Sequence, residues 1–286
     1  MPTEHSSGGD PARTLQLLWR QPGPADSRRG PRQGLSAERV AAAAIALADS
    51  DGLGSVTMRA VAHALGVVPM SLYTYVPGKA ELLDLMLDTV YHQMPRGDLS
   101  GMPWRERLAA VAHENRDLFA RHPWIAEVST SRPPLGPGLM AKYEHELQAF
   151  EGLGLDDVEM DAALTFLLGF VQAAARSAAE AAAARHDSAM SEEQWWAANA
   201  PLLTRIFDQT KYPTASRVGA AAGAAHGAAY NPDHAYTFGL QRVLDGLGAL
   251  IDTSGAGPAT VSPTASPTAP HATSLNAPNR TTPPDH

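Results

Sequence analysis

Two short helical repeats separated by only three residues restrict the fold of this chain more than any other feature. The first, Thr57 to Leu65, carries Val61 and Leu65 one helical turn apart, and the second, from Pro69, carries Leu72 and Val76 at the same spacing. Gly66 ends the first, because glycine readily takes the left-handed conformation that closes a helix. Pro69 opens the second, where a first-turn amide has no partner inside the helix. Helices joined by so tight a turn form a helix-turn-helix and need longer helices to brace them. Ser36 caps one such brace, with Val40, Ala44, Ile45, Leu47 and Ala48 on one stripe before Asp51-Gly52. The other runs from Lys79 to Tyr91 with Leu82, Leu83, Leu85, Met86, Leu87 and Val90.

The outward face of the second short helix lacks the charge that a solvated helix normally carries. It presents Val68, Pro69, Met70, Ser71 and Thr74. Small uncharged groups let a helix sit close to base edges in the major groove, and apolar ones can touch a thymine methyl. Phosphate donors stand beside them. Thr57 and Lys79 lie at helix N-termini, where free amides and the helix dipole favour an anion. Tyr73 and Tyr75 offer hydroxyls, and Arg59 can reach phosphate or guanine. The expected partner is a double-stranded DNA operator. The plainer alternatives are Tyr73 and Tyr75 as core aromatics and Lys79 as a solvated charge.

At 286 residues and 44% hydrophobic, the chain can build one large or two small cores. No apolar run approaches the length of a bilayer span, so no membrane partner is expected and the chain is placed in the cytoplasm. The absence of cysteine removes disulfide frameworks, thiolate nucleophiles and zinc-thiolate sites. A net charge of −8 argues against a polycationic nucleic-acid coat but leaves a local reader open. From Ser36 to Tyr91 six acidic residues (Glu38, Asp49, Asp51, Glu81, Asp84, Asp88) face three basic ones (Arg39, Arg59, Lys79). For a DNA reader, that balance calls on a basic arm, Arg28, Arg29 and Arg32, entering an adjacent minor groove, with a plain soluble tail as the alternative reading of the cluster. Residues 1–34 read as that disordered arm, 35–94 as the head, 103–252 as a helical body, and 253–286 as a disordered Pro/Thr/Ser/Ala tail.

The segment TMRAVAHALGVVPMSLYTYVPGKAELLDLM, with Gly66-Val67, Leu72-Tyr73, Val76 and Lys79-Ala80-Glu81-Leu82-Leu83, resembles the TetR family of transcriptional repressors. WRERLAAVAHENRDLFARHPW, PLLTRIFDQTKYP and HAYTFGLQRVLDGL resemble the C-terminal domain of its tetracycline-repressor-like branch. The resemblance implies an all-α homodimer, each subunit with a DNA-binding head and a body that binds an effector and lowers operator affinity. It also implies that Arg59, Ser71, Tyr73, Tyr75 and Lys79 touch DNA. Tetracycline-binding members hold a drug-chelated magnesium with a helical histidine. Here Ser129 or its neighbours fall in that region and His122 sits in a His-Pro-Trp turn, so magnesium-tetracycline is not expected.

In the body, helices are expected from Trp104 to His122, Leu139 to Phe150 and Asp156 to His186, with a last one carrying Leu240, Val243, Leu244, Leu247 and Leu250. Leu164, Leu168, Val171, Leu240, Val243, Leu244 and Leu247 are assigned to a four-helix homodimer interface, with packing inside one subunit as the alternative. The span from Gly219 to Tyr230 reads as a flexible loop. Candidate contacts for an unidentified small-molecule effector are His113, Asn115, Phe119, Trp124, Phe166 and Phe170. No enzyme is expected, nor any metal or cofactor. His113-Glu114 and His145-Glu146 lack the second histidine of a zinc-protease helix, and no dinucleotide or nucleophile-elbow motif occurs. A helical protein-interaction adaptor that does not bind DNA remains the alternative function.

Overall fold

The computed structural model describes residues 6–20, 34–128 and 132–255. Arg28, Arg29, Arg32, Ser129 and the tail from residue 256 lie outside the described residues. Among the described residues there are eleven α-helices and no strand. They are α1 (Pro11–Leu18), α2 (Ala37–Asp51), α3 (Met58–Leu65), α4 (Pro69–Leu72), α5 (Lys79–Gln93), α6 (Trp104–Arg121), α7 (Pro137–Gln148), α8 (Asp157–Ser188), α9 (Glu192–Ile206), α10 (Pro213–His226) and α11 (Pro232–Gly255).

Helices α2 to α5 form the head around Val40, Ala44, Val61, Leu72, Val76, Leu82 and Met86. That core does not stop at the head. Leu118, Trp124, Ile125 and Val128 from the body join it, and Trp124 Nε1 donates to Asp49 Oδ1 at 2.8 Å. A second core, within the body, gathers α6, α8 and α11 around Leu108, Val111, Leu164, Leu167, Leu240 and Leu244. Asp156 opens α8 with a reciprocal cap, its side chain accepting from Glu159 N while Glu159 returns to the Asp156 amide.

Three features depart from the sequence reading. Residues 6–20, expected to be part of an unstructured arm, contain α1 (Pro11–Leu18), capped by Asp10 and burying Leu17 and Leu18 in the head core. Residues 219–226, expected as loop, continue α10, since alanine favours helix strongly enough to carry the glycines between them. By length and composition α8 could cross a bilayer, against the expectation that no segment could. Its apolarity is largely alanine, and Ala163, Leu164, Leu167 and Val171 are buried in the body.

Helix α5 joins head to body. On it Glu81, Asp84 and Asp88 are buried, and each accepts a backbone N–H from elsewhere: Asp10 at 3.3 Å, Ser7 at 2.7 Å and Leu139 at 2.9 Å. Asp88 thereby caps α7, which has no side-chain cap of its own. The approach is close. A Cβ at Gly138 would lie 2.0 Å from the Asp88 carbonyl oxygen.

Burial raises the Asp84 and Asp88 carboxyls above their ordinary range, against the lowering effect of the amides they accept. A carboxyl so raised holds its proton more tightly folded than unfolded. Its charge therefore costs stability at neutral pH, and the cost fades as pH falls toward the unfolded value of about 3.9. Asp84→Asn keeps an oxygen for the Ser7 amide. It should raise the thermal midpoint at about pH 8 by about 2–4 °C, the gap closing by about pH 4. A lower midpoint at the higher pH would contradict this account.

Candidate nucleic-acid interface and effector cavity

The local sequence sets the reading surface. Thr57 Oγ1 accepts from Ala60 N at 3.1 Å to start α3, which ends at Gly66 with φ 68°. The Gly66 and Val67 amides bond back to the His63 and Ala62 carbonyls, so the turn closes without side-chain help. Pro69 then starts α4, a single turn. The Tyr75 and Val76 amides return to the Leu72 carbonyl at 2.8 and 2.9 Å, and the coil continues to Val76.

Leu72 and Val76 are fully buried, which turns the other side outward. Val68, Pro69, Met70, Thr74, Tyr73 and Tyr75 are exposed and Ser71 is half-buried. Met70 is 74% exposed and Val68 65%, a large apolar display for one turn of helix. Tyr73 and Tyr75, at 45% and 36%, lie outside the core rather than in it. Thr57 and Arg59 are exposed, and Lys79 is half-buried in the first turn of α5.

The acidic residues of the head are engaged elsewhere. Glu38 pairs with Arg20, Asp49 receives Trp124 and lies 2.8 Å from His122 Nδ1, and Glu81, Asp84 and Asp88 hold the amides already described. Among the head's carboxylates, Asp51 is held only by its neighbour Ser50. The unfavourable charge count therefore does not describe the α4 face.

The body holds an inner cavity of about 90 Å³ bounded by Tyr91 of α5, Asn115 and Phe119 of α6, Lys142 of α7, and Leu168 and Gln172 of α8. An outer cleft of about 250 Å³ lies between Arg116, Phe119, the alanines 174, 175, 178 and 179 of α8, and Tyr236. Phe119 lines both. Were its ring to swing aside, the joined space would reach the lower end of the ~300–1,000 Å³ usual for small-molecule sites.

The polar equipment of this space is specific. The inner cavity carries the Lys142 ammonium, which donates to Glu146 Oε1 at 2.6 Å and stands 5.5 Å from the Tyr91 ring centre. Asn115 Nδ2 donates to the same Glu146 oxygen at 2.6 Å and to the Val111 carbonyl at 3.0 Å. In the cleft, Arg116 lies 4.3 Å over the Tyr236 ring and pairs with Asp233. Burial raises the Tyr236 hydroxyl to about 12, so it keeps its proton. It lies 3.1 Å from His113 Nδ1.

Of the expected effector contacts, Asn115 and Phe119 line the space. His113 and Phe170 stand behind its wall, one at the Tyr236 hydroxyl and the other stacked on the Tyr236 ring at 5.8 Å. Trp124 is no pocket wall, since it is buried in the head core and tied to Asp49. Phe166 is 56% exposed on the outer side of α8 and cannot face the cavity. Sequence reasoning missed Tyr91, Arg116, Lys142, Gln172 and Tyr236. The Lys142–Glu146 pair, four residues apart on one helix, was the readable signal.

The dimer assignment needs correction. Leu164, Val171, Leu240, Val243, Leu244 and Leu247 are buried in the subunit's own core, and Leu168 lines the inner cavity. They are taken by packing of α8 on α11 and α6, the alternative noted from the sequence. The outer faces of the same helices expose Val158, Phe166 and Phe238, while α9 exposes Leu202 and Ile206 and buries nothing. His145 Nε2 and Glu114 Oε2 meet at 2.8 Å, with no third metal-ligating residue grouped with them among the described residues.

Comparisons with known proteins agree on both halves. Residues 40–86 match the family described as bacterial regulatory proteins, tetR family, and residues 97–251 the tetracyclin repressor-like C-terminal domain. The HTH-type transcriptional repressor DrrR1 of Streptomyces coeruleorubidus is 41% identical over 254 residues, covering 87% of this chain and 90% of that protein. Streptomyces coelicolor ActR, solved in complex with actinorhodin, is 25% identical with a TM-score of 0.63, covering 77% of this chain and 97% of ActR. BioQ solved with its double-stranded DNA operator shares the fold at 23% identity and a TM-score of 0.50, over 76% of this chain and 99% of BioQ.

The buried pair offers a test of the inner cavity. Glu146→Leu leaves the Lys142 ammonium without its acceptor and the Asn115 amide with the Val111 carbonyl alone, and should cost about 3–5 kcal/mol in urea unfolding. Adding Lys142→Met should recover most of that loss. If the double variant were no more stable than the single one, the charge pair would not be what organises this wall.

Proposed function

The chain belongs to the TetR family of bacterial regulatory proteins, and on that premise we propose how it works as a DNA-binding, effector-responsive transcriptional repressor. Two α4 turns, one from each subunit of a homodimer, enter successive major grooves of a palindromic operator about 34 Å apart. Val68, Pro69, Met70, Ser71 and Thr74 meet base edges, while Thr57, Arg59, Tyr73, Tyr75 and Lys79 hold phosphates. The observation that carries this reading is the uncharged, exposed α4 face in a head whose carboxylates are bound elsewhere. The same observation removes the main support of the adaptor alternative.

The subunits pair through the outer faces of α8 and α11, with Phe166, Val158 and Phe238 at the contact. The effector occupies the space around Phe119. An alanine floor, two aromatic rings and Arg116 suit a flat apolar molecule with an anionic or hydroxyl edge. That ActR was solved in complex with actinorhodin supports an effector-responsive reading. The site of action is the cytoplasm, and the protein acts by binding rather than catalysis.

A footprint on the DNA beside its own gene, at two salt concentrations, tests the reader. Lys79→Ala and Tyr73→Phe should weaken all operator sequences alike, Lys79→Ala flattening the salt dependence by roughly one unit. Ser71 substitutions should instead change which sequence is selected from a random pool, and an unaltered selection would remove α4 from the groove. For the effector, Arg116→Gln and Phe119→Ala should leave operator binding intact and raise the concentration needed for release about tenfold. Phe166→Glu should shift sedimentation toward monomer, and a dimer unaffected by it would refute the outer-face contact.

A further inference from the structure

We propose that residues 6–20 are an intramolecular strap that sets the angle between head and body. The segment is anchored at three places, two on the head and one on the stretch before α7. Leu17 and Leu18 enter the head core, and Arg20 pairs with Glu38 of α2. The Ser7 and Asp10 amides donate to Asp84 and Glu81 on α5 at 2.7 and 3.3 Å. Ser6 Oγ and Trp19 Nε1 donate to the Arg132 and Leu135 carbonyls, both at 2.7 Å, in the stretch that runs directly into α7.

These anchors lie across the joint that any movement of the head must bend. Segment 132–135 leads to Gly136 and Gly138, which pack against Asp88, so the strap and the α5–α7 contact close a ring around one hinge. Hydrogen bonds to the two α5 carboxylates are charge-assisted and short-range, and they are lost together if the segment lifts. The fit is tight at two residues. Ser7 holds a left-handed φ of 53°, and a Cβ added at Gly9 would lie 2.4 Å from Glu81 Oε1. A glycine at position 7 relaxes the first constraint, whereas proline cannot adopt that φ and has no N–H for Asp84.

The strap stands on geometry alone, but its regulatory consequence rests on the operator reading above. A head held at one angle spends more of its time in the pose that matches both half-sites. Freeing it lowers the competent fraction and with it operator affinity.

The chain has no native cysteine, so dyes on His63→Cys in α3 and Ala141→Cys in α7, both exposed positions, report the head–body distance within one subunit. Labelled protein is diluted into unlabelled protein and energy transfer is read on single molecules without DNA or effector. The full chain and Ser7→Gly should give one narrow peak. Ser7→Pro and Gly9→Val, which unseat the strap by different means and leave Leu17 and Leu18 in place, should both broaden it. They should also weaken operator binding about fivefold, the low end of measured couplings. An unchanged peak in both variants overturns the strap, and a broadened peak with unchanged operator affinity overturns its regulatory role. Failure of the full chain itself to bind any operator would sink the operator reading, while the transfer peaks would still judge the strap.

Discussion

The molecule is organised around α5, a helix of fifteen residues of which ten are buried. A helix buried on nearly all sides is usually apolar on nearly all sides. This one carries three carboxylates inside, and each needs hydrogen-bond donors to be tolerable there. None of the donors named for them comes from α5. The Glu81, Asp84 and Asp88 side chains reach out to amides of the N-terminal segment and of the α7 start, and so impose where those two pieces sit. The need to satisfy buried charge thus does the architectural work of joining head, strap and body.

Much of the head was legible because its signals are local. Gly66 and Pro69 act within one turn of themselves, and Leu72 and Val76 bury where a four-residue spacing puts them. The N-terminal segment was hidden for the opposite reason. In PARTLQLL only Leu17 and Leu18 join the hydrophobic core, and nothing within eight residues shows that the head core is waiting to receive them. Composition rich in Pro, Gly and Ser around such a short helix reads as unstructured until the tertiary partner is seen. Likewise Gly219 to His226 contains both helix-breaking and helix-favouring residues, and the alanines prevail.

In the body the failure was one of assignment rather than of pattern. Leu240, Val243, Leu244 and Leu247 do form one stripe, and α8 has another, but a subunit fills its own core with its most apolar stripe first. What remains for any partner is the weaker face, where Phe166 and Phe238 stand among alanine, threonine and charged residues. Aromatic residues mislead for the same reason. Trp124, Phe166 and Phe170 look alike as sequence, yet one is a strut to Asp49, one faces outward and one backs a tyrosine. A polar residue inside a helix was the better guide to the cavity, since Asn115 is buried there with its amide bonded to Glu146 and the Val111 carbonyl.

If the effector fills the cavity as proposed, the cavity's position gives a route by which the filling would be felt at DNA. Tyr91, near the end of α5, forms one wall, and Lys79, about 18 Å away along the same helix, begins the head. Phe119 packs against both hydrophobic cores as well as lining both spaces, so a molecule that displaces its ring presses on the head and body together. A close-packed interior cannot absorb such a push by gradual compression. The displacement must be taken up where helices can slide or pivot, and the Asp88 cap on α7 limits sliding at one point while leaving rotation about it. Pressure at Tyr91 would therefore turn α5 about Asp88, and the end of the helix that carries Lys79 would move the opposite way. The size of that movement is governed by what resists rotation, which is why the contacts of Ser7 and Asp10 on the other side of the pivot matter as much as the cavity itself.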